Sequence, residues 1–291
     1  MTDSLRKTAV LIDVDETIID TEYNLNTPDQ SEDPLKEAID RVARRGIRVG
    51  LNSDTAMKNL KRRGQIWGAH GPFIAERGGS VSAGIGYKTH IVTPDNNRFI
   101  EMRRRFVTAL LQENRLADYL TLVGDIRVLY KNLPNLDTEL DLPRIAVLIN
   151  GVRECSFSFY THGWDKEKTH WDPYDTNALQ ELVAIWQQIC EELGIDPESL
   201  DNDINEAYGI CIIHDPRTQK VEALDTFCEL FSVERVFMIG NSMADYMEDQ
   251  RVTHYAVGKA HPDFKSAATQ VAEADLTLGV IEILELLDKQ L

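Results

Sequence analysis

The apolar positions near both ends of the chain follow the pattern of a parallel sheet with crossover helices. Short, continuous apolar runs are typical of strands buried on both faces, whereas apolar residues three and four positions apart are typical of helices with one buried face. The strand-like runs are residues 10–12, 47–51, 72–76, 235–239 and 254–257, and the helix-like segments are 33–46, 55–63, 220–231, 263–273 and 280–287. This alternation predicts an α/β fold.

The middle of the chain has a different pattern. Longer helix-like segments flank apolar runs, and one segment alternates apolar residues with serines, as an antiparallel strand with one solvated face does. The helix-like segments are 97–113 and 176–193, and the strand-like segments are 144–150, 153–160 and 208–214. We therefore expect an α+β domain at residues 82–215, inserted into an α/β core formed by residues 1–81 and 216–291.

Composition and charge limit the classes of binding partner that the protein can have. The net charge of -17 over 291 residues creates a field that repels phosphate backbones, which argues against nucleic-acid and anionic-membrane binding. The longest apolar runs, such as 145–149, are far shorter than the roughly 20 residues of a membrane helix. The first residues lack the apolar segment of a signal peptide, so we expect a cytoplasmic protein. The oligomeric state stays open.

The cysteines give no sign of a metal site or a disulfide framework. They are widely spaced, and none forms a Cys-x-x-Cys pair. Their positions are Cys155, Cys190, Cys211 and Cys228. Reduced, buried thiols fit the expected compartment.

Two carboxylates, Asp13 and Asp15, follow the apolar run Val10-Leu11-Ile12. Carboxylates in or just beyond a buried strand are costly unless a metal ion or hydrogen bonds compensate them. In open α/β sheets, ligands bind at the carboxyl ends of the strands. We therefore expect a functional site here, and the alternative is a strand that ends in a solvated acidic turn.

Further polar residues stand at strand ends or helix starts. Ser53 follows the second predicted strand, where a hydroxyl and free backbone N–H groups can hold a phosphoryl oxygen, although an ordinary helix cap is the alternative. Lys220 opens a predicted helix, where a lysine is electrostatically out of place. Gly240-Asn241, with Asp245 close behind, follows the strand at 235–239.

The order of these features resembles that of the four motifs in phosphatases of the haloacid dehalogenase (HAD) superfamily. The resemblance rests on Asp13-Val14-Asp15-Glu16-Thr17, Ser53, Lys220 and Gly240-Asn241 with Asp245. It points to the Cof-like branch, because the roughly 40 residues between the first two motifs leave no room for a cap domain, judged by ordinary element lengths. The resemblance implies a Rossmann-like parallel core with an α+β cap inserted between the second and third motifs.

The resemblance also implies a role for each motif. Asp13 would be the nucleophile that forms an aspartyl-phosphate, and Asp15 the general acid and base. Ser53 and Lys220 would bind the phosphate. The expected partner is a small phosphorylated metabolite.

A Mg2+ ion, or Mn2+, is the cofactor that the resemblance implies. Its ligands would be Asp13, the backbone carbonyl of Asp15, Asn241 and Asp245. The family usually places an aspartate directly after the glycine of the fourth motif, whereas this chain has Asn241. Asparagine can give magnesium a neutral oxygen, so the departure puts in question the metal affinity, or the choice between the two ions.

Within the predicted cap, residues 161–171 are dense in aromatic and hydrogen-bonding groups. His162, Trp164, Lys166 and His170 are suited to recognising a sugar or another polar leaving group. The alternative is a loop whose tryptophans pack on the sheet of the cap itself. No histidine here has metal-ligand spacing with an acid.

The predicted function is that of a magnesium-dependent phosphomonoesterase acting on a sugar phosphate or a phosphoglycerate-like compound. A phosphomutase or phosphotransferase would use the same Asp13 but pass the phosphoryl group to a sugar. A non-catalytic sugar-phosphate-binding regulatory protein has only Asn241 in its favour. A dehalogenase needs no second acid such as Asp15, which argues against that activity.

Overall fold

The computed structural model describes residues 7–20, 33–113, 119–132, 145–165, 170–172, 176–206 and 209–291. The strands are β1 (Thr8–Ile12), β2 (Arg48–Asn52), β3 (Phe73–Ala75), β4 (Ser80–Ser82), β5 (Thr89–Ile91), β6 (Tyr119–Gly124), β7 (Ile145–Asn150), β8 (Phe157–Asp165), β9 (His170–Asp172), β10 (Asp201–Asn205), β11 (Ile210–His214), β12 (Arg235–Gly240), β13 (Val252–Ala256) and β14 (Gln270–Val271). The helices are α1 (Asp33–Arg44), α2 (Met57–Trp67), α3 (Asn96–Leu111), α4 (Ile126–Asn132), α5 (Thr176–Glu192), α6 (Lys220–Phe231), α7 (Pro262–Ala267) and α8 (Leu276–Gln290). Short 3₁₀ helices lie at Glu76–Gly78, Pro197–Ser199 and Met243–Asp245.

The chain divides into two compact units. The core unit comprises Met1–Val92 and Thr218–Leu291, and the inserted unit comprises Thr93–Arg217. The sequence prediction placed the first boundary at residue 82, where the α/β pattern stops. In the structure, β4 and β5 continue the sheet of the core unit as an antiparallel extension, so the inserted unit begins eleven residues later, at Thr93.

The core unit is built on a sheet with the order β14-β13-β12-β1-β2-β3-β4-β5 among the described strands. The strands from β14 to β3 are parallel, which confirms the predicted α/β class. Ile12 at the end of β1 pairs with Ile239 of β12 and with Leu51 of β2. The residues that follow these three strands therefore emerge at the same edge of the sheet.

Both faces of the core sheet are covered. Val10 and Ile12 belong to a buried cluster with α1 and α8, whereas Ala9 and Leu11 pack with α6 on the opposite face. These residues of β1 are completely buried, and burial of one large aliphatic side chain contributes about 1.5–3 kcal/mol. Central strand β1 is thus held rigidly where it delivers Asp13 to the edge.

The inserted unit is an α+β domain, as the sequence predicted. In its described part, the sheet has the order β10-β11-β8-β7-β6, and β9 pairs with β8. All of these pairs are antiparallel except β6 with β7. Helices α3 and α5 cover one face through buried residues that include Phe106 and Trp186.

The last elements differ from the prediction at one place. The helix predicted at 263–273 ends at Ala267, because Gln270–Val271 pairs with β13 as the edge strand β14. The terminal helix runs from Leu276 to Gln290. Among the described residues, no helix has both the length and the apolar content needed to cross a membrane.

Candidate active site

The acidic residue after β1 lies at the carboxyl edge of the core sheet. Asp13 is buried, and its backbone N–H donates to the carbonyl of Ile239 in β12 at 2.9 Å. Asn241 follows β12 and Ser53 follows β2, the two strands that flank β1. Parallel pairing therefore brings three of the predicted motifs to one edge, as expected for a ligand site in this fold class.

After β1 the chain enters a tight turn over residues 14–19, which contains Asp15. The carbonyl of Val14 accepts hydrogen bonds from the N–H groups of Ile18 at 2.9 Å and Ile19 at 3.1 Å. Glu16 has a φ of 61°, in the left-handed region that reverses the chain. Asp15 thereby leaves the strand, and its side chain is partly exposed, whereas the side chain of Asp13 is buried.

Lys220 joins two carboxylates inside the core unit. Its Nζ lies 3.2 Å from Asp13 Oδ1 and 2.5 Å from Asp245 Oδ1, and the side chain is buried. As predicted, Lys220 is the first residue of α6. A Cβ on Gly78 would lie 2.2 Å from the carbonyl oxygen of Gln219, so only glycine lets the segment after β3 pack directly against this helix start.

Asp245 is folded back over the end of β12. Its Oδ2 accepts hydrogen bonds from the N–H groups of Asn241 at 3.0 Å and Ser242 at 3.3 Å. Ser242 and Asp245 also form a capping box around the 3₁₀ helix that follows. A Cβ on Gly240 would lie 2.4 Å from Asp245 Oδ2, which explains why a glycine precedes Asn241.

Asp13, Lys220 and Asp245 lie close enough for the charge of each to shift the pKa of its neighbours. Burial and the nearby Asp245 carboxylate raise the pKa of Asp13 well above its ordinary value, although Lys220 opposes this shift. Burial alone would lower the pKa of Lys220, but the charges of Asp245 and Asp13 outweigh it and raise that pKa. Lys220 is therefore protonated at neutral pH, and this one buried cation lies against two carboxyl groups.

The oxygen atoms near Asp13 fit a divalent cation in type. Thr17 Oγ1 lies 3.0 Å from Asp13 Oδ2 and 3.3 Å from Asn241 Oδ1, so a carboxylate and an amide oxygen converge on one hydroxyl. Oxygen ligands are those that Mg2+ prefers, together with several waters. Within the described ranges, no group of three or more His, Cys, Asp and Glu side chains is arranged to hold a metal ion, and Asn241 would contribute an amide oxygen, which lies outside that set of side chains.

Ser53 does not cap the helix that follows it. Helix α2 begins at Met57, and its N-cap residue Ala56 makes no side-chain capping bond. Instead, Ser53 Oγ lies 3.3 Å from Asp15 Oδ2 and 3.0 Å from Thr55 Oγ1, and it accepts a hydrogen bond from the backbone N–H of Thr55. Ser53 and Asp15, which belong to different motifs, are therefore neighbours.

Sequence reasoning missed Arg63, a buried residue of α2. Its Nη1 lies 3.6 Å from Asp15 Oδ1 and 3.3 Å from Thr55 Oγ1. The helical spacing held a signal, because Arg63 lies three residues after Leu60 and four before Trp67, on the buried face of the helix. A cation at such a position requires an anion or hydrogen-bond acceptors nearby.

The four residues proposed to recognise substrate belong to the inserted unit. His162 is buried in β8, opposite Ala146 of β7. Trp164 pairs with Trp171, and His170 with Asp165, in the ladder between β8 and β9. Lys166 lies outside the described residues, as do the side chains of Trp164 and His170. Their role in recognition remains a prediction.

His162 is expected to make the inserted unit sensitive to acid. Burial lowers the pKa of His162 from 6.5 to about 4, so between these values the unfolded chain binds a proton that the folded chain does not. The contribution of His162 to the free energy of unfolding should therefore be fully present above pH 6.5. It should be lost as the pH drops toward 4, by about 3 kcal/mol in all. Urea unfolding of wild type and His162→Gln at pH 7.5 and 5 measures this: the variant should lose less stability on acidification, and equal losses would contradict the assignment.

Comparison with known proteins supports the fold. No family model matches the sequence, and neither does any curated protein. A haloacid dehalogenase-like hydrolase from Bacteroides thetaiotaomicron is 16% identical, with a TM-score of 0.59 over 96% of this chain and 99% of that one. A haloacid dehalogenase-like hydrolase from B. subtilis is also 16% identical, with a TM-score of 0.54 over 95% and 98% of the two chains.

A third solved structure is a trehalose-6-phosphate phosphatase related protein. It is 11% identical, with a TM-score of 0.58 over 97% of each chain. At such identities the likeness shows the fold alone. The chain has the haloacid dehalogenase-like fold, a Rossmann-like parallel core with an inserted α+β unit, and the fold implied by the motif resemblance is confirmed.

Proposed function

We propose that this protein is a phosphatase that hydrolyses phosphate monoesters of small metabolites, with Asp13 as its nucleophile. The observation that carries the proposal is the buried contact of Lys220 with Asp13 and Asp245 at the carboxyl edge of the core sheet. A cation held against a carboxylate at a ligand-binding edge suits a reaction that brings phosphate oxygens to that carboxylate. Asp15 and Ser53 lie in contact with each other at the same edge.

The side chains support a two-step displacement. A carboxylate oxygen of Asp13 attacks phosphorus, the bond from phosphorus to the substrate oxygen breaks, and Asp15 protonates the departing oxygen. Asp15 then takes a proton from the water that attacks the aspartyl-phosphate, which releases phosphate and restores Asp13. Lys220 and Ser53 hold the phosphoryl oxygens during both steps.

The proposal includes a Mg2+ ion, with Mn2+ as an alternative. The residues that would hold it are Asp13, Asn241, Asp245 and the backbone carbonyl of Asp15. The bound ion would neutralise part of the negative charge shared by phosphate and carboxylate. The convergence of Asp13 and Asn241 oxygens on Thr17 is the observation in favour of this ligand set.

We propose a sugar phosphate or phosphoglycerate-like compound as the substrate. One protein of the same fold is described as trehalose-6-phosphate phosphatase related, which agrees with a phosphorylated sugar. In this proposal the inserted unit is a cap that excludes water and selects the leaving group. His162, Trp164, Lys166 and His170 are the proposed contacts.

Phosphate release from a panel of phosphorylated metabolites, with and without a chelator, tests the proposal. Hydrolysis of sugar phosphates that stops when chelator is added is the expected result. Isomerised sugar without free phosphate would instead indicate a phosphomutase. Tight binding without turnover in Mg2+ or Mn2+ would indicate a regulatory sugar-phosphate-binding protein.

Replacing Asn241 by aspartate is expected to strengthen metal binding. The change adds one negative charge beside Asp13, and Coulomb attraction across a few ångströms near a protein surface is enough for about a tenfold lower Kd for Mg2+. Isothermal titration with Mg2+ and no substrate measures the effect. Asn202→Asp, on the exposed edge strand β10, is the matched control, and unchanged affinity in Asn241→Asp would contradict the ligand assignment.

A further inference from the structure

Arg63 reaches the proposed acid from a helix outside the four motifs. It lies one turn before the end of α2, on the buried face of that helix. Its guanidinium lies 3.6 Å from Asp15 Oδ1 through Nη1, and its side chain is 4% exposed, whereas that of Asp15 is 39% exposed. The cation is therefore the fixed partner of the pair and the carboxylate is the partly solvated one.

The guanidinium is itself held on more than one side. Nη1 donates to Thr55 Oγ1 at 3.3 Å, and Cζ lies 6.0 Å from the centroid of the Trp67 ring. Neighbouring apolar residues of α2, Leu60 and Trp67, are buried. A planar guanidinium fixed in this way presents its N–H groups in one direction, which a flexible lysine would not do.

Asp15 is contacted on both carboxylate oxygens. Arg63 approaches Oδ1, and Ser53 Oγ lies 3.3 Å from Oδ2. Ser53 and Arg63 are linked in turn through Thr55, whose Oγ1 lies 3.0 Å from Ser53 Oγ. The four side chains thus form a closed ring that fixes the plane of the Asp15 carboxyl group.

We propose that Arg63 is a positioning residue that aims the Asp15 carboxyl group at the leaving oxygen of the substrate. The inference rests on the proposed phosphatase function and adds a residue that the motifs do not contain. Proton transfer to a leaving group depends on the geometry of the acid. Loss of Arg63 should therefore matter only where the leaving group needs a proton.

Two substrates with different leaving groups test this role. An alkyl phosphate leaves as a poor alkoxide that requires protonation, whereas 2,4-dinitrophenyl phosphate leaves as a stable phenolate that does not. In Arg63→Met, kcat/KM should fall about 100-fold for the alkyl phosphate and less than about fivefold for the aryl phosphate. Arg63→Lys should recover part of the loss, and Arg62→Met, at an exposed neighbouring position, should change neither value.

The ratio of the two kcat/KM values within one variant does not depend on how much of the protein is folded. Equal losses for both substrates would therefore overturn the positioning role and leave the proposed function standing. Weaker inhibition by inorganic phosphate, together with equal losses, would show instead that Arg63 binds the phosphate. A wild-type protein that releases phosphate neither from these two substrates nor from any member of the metabolite panel would overturn the proposed function and this inference together.

Discussion

Replacing Asp13 by asparagine is expected to abolish phosphate release while leaving the fold intact. Asparagine has the shape of aspartate but offers no anionic oxygen to attack phosphorus, and loss of a nucleophile costs on the order of 10⁴-fold or more in kcat. Burial raises the pKa of Asp13, which means that the ionised carboxylate is disfavoured where it stands. Removing its charge should therefore not unfold the core unit.

Single-turnover release of phosphate from the best substrate of the panel measures this loss, and circular dichroism with thermal unfolding checks the fold. Asp263→Asn is the matched control, because that carboxylate is exposed near the start of α7. Its activity should equal that of wild type. Turnover by a folded Asp13→Asn protein within tenfold of wild type would rule out Asp13 as the nucleophile.

The meeting of the candidate site residues at one sheet edge was predictable, because these residues follow the ends of strands. Asp13, Ser53 and Asn241 are far apart in sequence, yet each follows an apolar run that forms a parallel strand. The order of β12, β1 and β2 then places all three at one edge. Lys220 was recognisable from its position at the start of α6, where a cation is unfavourable unless an anion lies nearby.

Two of the strands that the sequence prediction missed have no apolar pattern. Strand β10 has the sequence Asp-Asn-Asp-Ile-Asn and lies at an exposed edge of its sheet, so no alternation of polarity marks it. Strand β14 is formed by two exposed residues, and its existence depends on pairing with β13. Local sequence does not encode such pairing, because tertiary contacts decide it.

The position of Arg63 in the candidate site also depends on tertiary packing. A basic residue on a short helix reads as solvated, and only its spacing from Leu60 and Trp67 indicates burial. The contact with Asp15 depends on the packing of α2 against β2 and β3, which no motif reports.

Replacing Lys220 by methionine is expected to cost both stability and activity. The substitution keeps most of the side-chain volume but leaves two buried carboxylates, Asp13 and Asp245, without their cation. Removing one partner of a buried ion pair destabilises a protein by about 3–5 kcal/mol. Loss of a cation that stabilises transition-state charge lowers kcat by about 10²- to 10³-fold. Urea unfolding and phosphate release measure the two losses separately.

The stability loss in Lys220→Met should grow as the pH rises. Lys220 lowers the pKa of Asp13, so its removal raises that pKa further above the ordinary value of 3.8 that holds in the unfolded chain. The folded variant then binds a proton that the unfolded chain has released, and stability falls as the pH increases through this interval. The loss in free energy of unfolding relative to wild type should therefore be larger at pH 8 than at pH 5. Equal losses at the two pH values would contradict this explanation.

A second substitution separates charge from packing. Asp245→Asn added to Lys220→Met removes one of the two uncompensated carboxylates, so it should restore much of the lost stability at pH 8 without restoring activity. Lys259→Met, at an exposed lysine that lies 3.6 Å from Asp275, should change stability little, because surface ion pairs contribute little. If the double variant were no more stable than Lys220→Met, the loss would come from packing around α6, and the buried charges would not govern the stability of this site.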